Sequence, residues 1–292
     1  IRPAIALLLA VLMLAGCTSA FVYNRLDWLI PWYVDGYMDL TRDQRQALQE
    51  QLGPTLEWHR EEELASYIEI LDHIETGVER PVDAAWVRER IDEMLDAAER
   101  IERSMLEVAL EFGADVSDGQ MQEFIDSLWD EQREFEEEYA ERTDEEYAKD
   151  DYDNISDFLE RFLGRLTAEQ KTVILEASGS LQRFDLAWLE DRHQWLESLE
   201  PLLQREAGWQ EAVMDLYRYR KQNRAPAYTE AYENNLAIIS QAVSEVIGMM
   251  NEEQKRHAVE EIDDFRRKIQ KLIEDRQQQA WQTYPKGLRV AG

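Results

Sequence analysis

A chain of 292 residues with 44% hydrophobic side chains and nine tryptophans can fill a core, which excludes a disordered polymer. Its 62 acidic and 32 basic residues leave a net charge of −30. That excludes nucleic acid as a partner, because phosphate contacts need Lys and Arg, and it sets the chain against anionic lipid headgroups. The single cysteine excludes an internal disulfide.

The first segment, 1–16, reads as a leader. Ala4 to Ala15 is an unbroken apolar run preceded by Arg2. It is too short for a bilayer, which needs roughly 20 residues, but suits the apolar region of a secretory signal. The residues that follow, Leu14-Ala15-Gly16-Cys17, resemble the bacterial lipobox. The resemblance implies cleavage before Cys17, a diacylglyceryl thioether on its sulfur and acylation of its amino group. Thr18 stands where an Asp would resemble an inner-membrane retention signal, so the expected address is the periplasmic face of the outer membrane, with the lipid anchor as the contact to the membrane.

Residues 17–39 form an aromatic lead-in. Trp28, Leu29, Ile30, Trp32, Tyr33, Tyr37 and Met38 follow the cysteine with hardly any polar tether. Three readings stay open for them. They pack into the core, they sit at the bilayer surface where Trp and Tyr favour the interface, or they line a groove for an apolar peptide, lipid or helix. Trp28, Trp32, Tyr33 and Tyr37 are the candidates for a binding or membrane-proximal face.

Beyond residue 40 the chain is helical in pattern, with little Gly or Pro and almost no strand-like alternation. Val87, Ile91, Met94, Ala98, Ile101, Met105, Val108 and Phe112 form a stripe at alternating spacings of four and three, and so do Tyr232, Leu236, Ile239, Val243, Val246 and Met250. The pattern predicts helices over 42–76, 83–114, 118–163, 168–206, 207–223, 227–250 and 252–282. Pro54 and Pro201 are expected to kink or break two of them, and the acid-dense stretch Glu136 to Asp153 is a candidate interruption of the third.

Four segments share one arrangement: LTRDQR from Leu40, VSDGQM from Val116, LTAEQK from Leu166 and MNEEQK from Met250. In each, an apolar residue precedes Thr41, Ser117, Thr167 or Asn251, and a glutamine (Gln44, Gln120, Gln170, Gln254) follows three positions later. This is the pattern of a capping box, in which the first side chain accepts a backbone N–H of the opening turn and the glutamine reaches back to the cap's own N–H. Leu40 and Leu166 lie 126 positions apart, an offset that also aligns Trp58 with Phe184. Val116 and Met250 lie 134 apart, which brings one apolar stripe onto the other. The expected architecture is an all-α, elongated multi-helix bundle of two related units, 40–164 and 165–292.

No Gly-rich phosphate loop, nucleophile elbow or HExxH is present. His59 with Glu63, His193 with Glu197 and His257 with Glu261 sit four apart and read as ordinary helix neighbours in an acidic chain rather than metal ligands. Ser178 and Ser180 flank Gly179 with no histidine nearby to activate them. The expectation is a protein that is not an enzyme and uses no cofactor.

The two LT-x-x-Q copies, Leu40–Gln44 and Leu166–Gln170, resemble the motif of the Spy and CpxP periplasmic proteins, small all-helical chaperones or stress adaptors whose hairpins form a curved cradle. This chain is longer, and acidic where such a cradle is basic. The lipobox, the segment Asp27 to Thr41 and the later LTAEQ resemble a family of uncharacterised proteobacterial lipoproteins, which implies location and fold only. The expected role is binding of an envelope protein or an unfolded client through grooves between helices; the alternative is an accessory subunit or tether of an envelope assembly.

Overall fold

The computed structural model describes residues 22–283, with side chains described through residue 274. Residues 1–21, and with them the leader and Cys17, lie outside the described residues. All regular structure among the described residues is helical: α1 (Leu26–Val34), α2 (Arg42–Trp58), a π turn (His59–Glu63), α3 (Leu64–Glu75), α4 (Ala84–Gly113), α5 (Asp118–Ala140), α6 (Asp144–Leu163), α7 (Ala168–Ser180), α8 (Asp185–Leu199), a 3-10 turn (Leu202–Gln204), α9 (Trp209–Tyr219), α10 (Pro226–Gly248) and α11 (Glu252–Thr283).

Helices α2, α5, α7 and α11 begin directly after Thr41, Ser117, Thr167 and Asn251. Thr41, Ser117 and Thr167 each accept the backbone N–H of the glutamine three residues on, and that glutamine's side chain accepts the N–H of the cap. Asn251 Oδ1 accepts from Glu253 N and Gln254 N at 2.9 and 3.0 Å, and Asn251 N donates to Gln254 Oε1 at 3.2 Å.

The glutamines do more than cap. Gln44 and Gln120 exchange amide hydrogen bonds of 3.0 and 2.8 Å. Gln170 and Gln254 do the same at 3.2 and 2.8 Å. Each pair ties two helix N-termini together, α2 to α5 and α7 to α11. Gln120 also donates to the carbonyl of Asp39 at 2.6 Å, and Gln254 to that of Arg165 at 3.1 Å. Asp39 and Arg165 each directly precede the leucine of their motif, so the two junctions repeat down to this bond.

Helix pairing repeats as well. Helix α2 packs on α4 as α7 packs on α10; α1 packs on α2 as α6 packs on α7; α3 packs on α11 as α8 packs on α5; and α4 packs on α10 across the centre. Helix α6 thus holds toward α7 the place that α1 holds toward α2. The repeat that the contacts trace turns over at residues 141–143, not between 164 and 165.

The two repeats are interlocked. One core joins Leu64, Tyr67 and Leu71 of α3 to Leu163, Ile174, Val246, Ile262 and Phe265 from the later part of the chain. The other joins Leu48, Leu52, Val108, Phe112, Met121 and Ile125 to Leu199, Leu203 and Val213. Neither half contains a core of its own.

The structure refines three expectations. The span 118–163 is two helices, interrupted within the acid-dense stretch Glu136 to Asp153 as expected, because Thr143 opens α6 with a further capping box that uses Glu146. The span 168–206 is also divided: α7 ends at Ser180, four extended or irregular residues follow, and Pro201 sits between α8 and the 3-10 turn. Pro54 does not end α2, which runs on to Trp58. Glu50, whose carbonyl loses its usual partner at the proline, is an exposed residue.

Gln170 is fully buried and Gln254 nearly so at 3% exposure, whereas Gln44 and Gln120 are half-buried. Gln170→Ala removes the buried bonds to the Val246 carbonyl and the Gln254 amide, which keep Met249 N–H and the Arg165 carbonyl as partners, and is expected to cost about 2 kcal/mol, against about 1 kcal/mol for Gln44→Ala. Gln170→Glu, which keeps the accepting oxygen and loses the donor, should fall with Gln170→Ala. Chemical denaturation midpoints check the ranking; equal losses at 44 and 170 would refute it.

Candidate functional site

Three places in the fold combine functional side chains: the π turn, a groove on α4 and the outer face of α1.

The π turn interrupts one long rod, α2–α3, and directs both His59 and Glu63 inward. Single π turns recur where a side chain must be re-aimed. Tyr23, in the lead-in, hydrogen-bonds His59 Nδ1 at 2.8 Å, and Tyr67 of α3 bonds Nε2 at 3.1 Å. A neutral imidazole donates from one nitrogen and accepts at the other, which suits two hydroxyls that can each do either. Burial pushes His59 down to about 4; Glu63 opposes that shift and Arg60 adds to it. Burial raises Tyr23 to about 12 and moves Tyr67 the same way. Glu63 is held by Arg100 of α4 through two bonds of 2.7 and 2.9 Å, which keeps the guanidinium charged. Arg60 completes the cluster, stacking on the Tyr23 ring at 4.6 Å and donating to Asn24 Oδ1 and the Leu272 carbonyl, both at 2.8 Å. His59 and Glu63 are therefore each committed to separate protein partners. The cluster fastens the lead-in to the rod.

The groove is open, has a volume of about 600 Å³ and is lined by Trp58 at the end of α2 and by Asp96, Glu99, Arg100, Arg103, Ser104 and Glu107 along one face of α4. Glu99 is paired with Lys221 and its carboxyl is held below the usual range by that bond. Ser104 donates to Thr55 at 3.2 Å. Chemically it is a mixed-charge trough beside one indole.

The lead-in aromatics divide between core and solvent. Pro31 and Met38 are buried, and Ile30 and Val34 pack against the second core. Trp28, Trp32 and Tyr33 face solvent. Tyr37 stands between, half-buried, bonded to the Tyr33 hydroxyl at 2.8 Å and donating to Glu131. Burial and the Glu131 bond raise its pKa well above the ordinary tyrosine range. Sequence reasoning weighed this cluster as a unit; the helical period separates its two faces.

Elsewhere, the Ser178 hydroxyl donates to the Leu175 carbonyl and that of Ser180 to Glu176, each bonding back along its own helix. His193 lies 3.4 Å from Glu136 and 3.7 Å from Glu197 on the surface. Among the described residues there is no group of three or more side chains set to hold a metal ion, and no helix is long and apolar enough to cross a membrane. The sequence pass missed the Tyr23–His59–Tyr67 chain and the Glu63–Arg100 pair; the one available signal, two tyrosines flanking a histidine eight residues before the second of them, is too common to single out.

Together these features define an all-α protein of interlocked helix pairs joined at their N-termini. A model of a family of unknown function (DUF6279) matches residues 36–233, more than half of the chain, and the chain belongs to that family. The match begins just after α1 and ends within α10. No curated protein and no solved structure matches the chain.

The His59 shift has a direct consequence. Its folded pKa lies below the unfolded value of about 6.5, so the unfolded chain takes up the proton first and stability is lost as pH falls from 6.5 toward 4. The loss from this group should reach roughly 3 kcal/mol at pH 4. His59→Gln should remove that part of the slope while the carboxylate contributions remain, and stability curves of the two proteins between pH 7 and 4 measure the difference. Parallel curves would count against the buried neutral imidazole.

Proposed function

We propose that the chain is a non-enzymatic binding protein of the bacterial envelope, lipid-anchored at Cys17 on the periplasmic face of the outer membrane, that holds a segment of an envelope protein or an unfolded client in the α4 groove. The groove carries this reading. It is wide enough for several side chains of a partner and too small for a folded domain, and it offers an indole for apolar contact with both signs of charge around it. The strongly shifted groups also favour binding over catalysis: His59, Tyr23 and Tyr67 are locked to one another rather than poised toward the groove. The anchor itself is supported by the lipobox-like residues Leu14 to Cys17 and the apolar run before them.

The test is suppression of aggregation of an unfolded substrate by the purified full-length protein. Arg103→Glu, on the exposed face of α4, should leave helicity and melting unchanged. Trp58→Ala should weaken client binding about tenfold, the equivalent of ~1.4 kcal/mol. No suppression by the wild-type protein at stoichiometric excess would overturn the client reading.

The charge of −30 favours a second reading, an accessory subunit that meets a basic partner in an envelope assembly. A photo-crosslinker at position 103 in cells separates the two: one recurrent partner indicates the subunit, and a spread of unfolded chains indicates the client binder.

A further inference from the structure

Helix α1 presents two faces of opposite character. Successive residues turn by about 100°, so Trp28, Leu29, Trp32 and Tyr33 share an arc of roughly 140°, and Ile30, Pro31 and Val34 lie on the other side. The inner side is packed onto α2 and the second core. The outer side is bare: Trp28 is 56% exposed, Trp32 63% and Tyr33 62%. These are three of the eight exposed large apolar side chains among the described residues, gathered into six positions. Such clustering marks a contact surface rather than ordinary scatter.

Charge and position identify the occupant. Within α1 a single residue of nine, Asp27, is charged, in a chain where 32% of residues are. A basic protein partner would seek the acidic remainder of the surface, whereas this patch has been cleared of charge. Its composition, indoles and a phenol beside leucine, matches the residues that settle at the level of lipid headgroups. Trp28 lies eleven residues after Cys17, and eleven residues reach at most about 38 Å, so an acylated cysteine keeps the face within touching distance of the bilayer. The net charge of −30 selects against anionic headgroups.

The geometry points to α1 as a membrane seat: its outer face lies on a zwitterionic lipid surface with Trp28 and Trp32 among the headgroups and Tyr33 beside them. The inference rests on the Cys17 anchor of the proposed function. The acyl chains supply the affinity, and the seat supplies the orientation. The Tyr23–His59 clamp and the packing of α1 on α2 carry that orientation into the body, so the α4 groove is held at a fixed attitude to the membrane.

The full-length protein, reconstituted in phosphatidylcholine vesicles containing lipid brominated near the headgroup, tests this directly. Tryptophan fluorescence of the wild-type protein should be quenched, and the exposed-site double variant Trp28→Phe/Trp32→Phe should lose most of that quenching while its circular dichroism and vesicle binding stay unchanged. Equal quenching in the two proteins, or none in an acylated, vesicle-bound wild type, overturns the seat. Mass spectrometry of Cys17 reports on the anchor separately. If the thiol is bare, the anchor fails, and quenching of the same chain coupled through Cys17, its single cysteine, to a maleimide-bearing lipid in these vesicles decides the seat in either direction. Photo-crosslinks from position 32 to protein instead of lipid would also overturn it.

Discussion

Bringing two helix N-termini together inside a protein is electrostatically and chemically awkward, and everything else in this fold is arranged around doing it twice. Each terminus carries unpartnered N–H groups and the positive end of a helix dipole. A pair of them, buried, would leave several donors without acceptors. Glutamine at the third helical position answers both demands. Its oxygen accepts from the cap N–H of its own helix and from the amide of the facing glutamine, while its nitrogen donates across the junction and onward to a carbonyl. A glutamate can do only the first of these, and two facing glutamates would repel. The contrast is present in the chain itself: the box at Thr143 stands alone at an exposed helix start, and there the third residue is Glu146. Acidic residues in the first turns, Asp43, Asp118, Glu169 and Glu252, add opposite charge to the paired dipoles from the solvent side.

The junctions also explain why neither half is self-sufficient. Each leaves an apolar flank on its second helix, α5 or α11, and that flank is covered by the arm that follows the first helix of the other repeat, α8 or α3. The central contact, α4 on α10, joins the two repeats, and small residues are buried on both helices: Ala97 and Ala98 on α4, and Ser240, Ala242 and Ser244 on α10. Small side chains let two backbones approach and let dispersion replace side-chain interdigitation. Pairing, exchange of arms and central contact form one arrangement repeated at offsets of 126 and 134 residues.

Much of this was legible before any coordinates. The start of four helices follows from a cap residue and a glutamine three positions on, a local rule that tertiary structure had no reason to override. The long stripes located α4 and α10. What the sequence could not disclose was pairing: nothing in LTRDQR says that Gln44 meets Gln120 rather than Gln254, because each amide presents the same donors and acceptors. Where one repeat gives way to the next is also a matter of pairing. The LT motif looks like a beginning, whereas each is preceded by the helix that packs on it, α1 or α6. The break at Thr143 falls inside the acid-dense stretch that marked a candidate interruption; only its exact place was not legible, because Glu146 stands where the other boxes carry glutamine. The buried serines of α10, Ser240 and Ser244, were invisible to a count of hydrophobic residues. In the candidate sites, the lead-in was seen as one aromatic cluster, and only the helical phase of α1 separated Ile30 and Val34 from Trp28 and Trp32.

The interplay of clamp, seat and groove follows from one mechanical fact. The chain enters the fold at Tyr23, whose hydroxyl is bonded to His59 and whose ring is covered by Arg60, and His59 sits at the π turn of the rod α2–α3. The same turn sends Glu63 to Arg100, a residue that lines the groove on α4. Only a few side chains therefore lie between the entry of the chain and the surface proposed to bind a partner. The π turn carries both connections: His59 and Glu63 open and close it, both are buried, and each is bonded to a different partner. Burying a neutral imidazole there costs stability at low pH. Protonating His59 would add a cation beside Arg60, in the one cluster that joins the lead-in, the rod and α11. The element that fixes the body relative to its proposed anchor is thus also one that acid weakens.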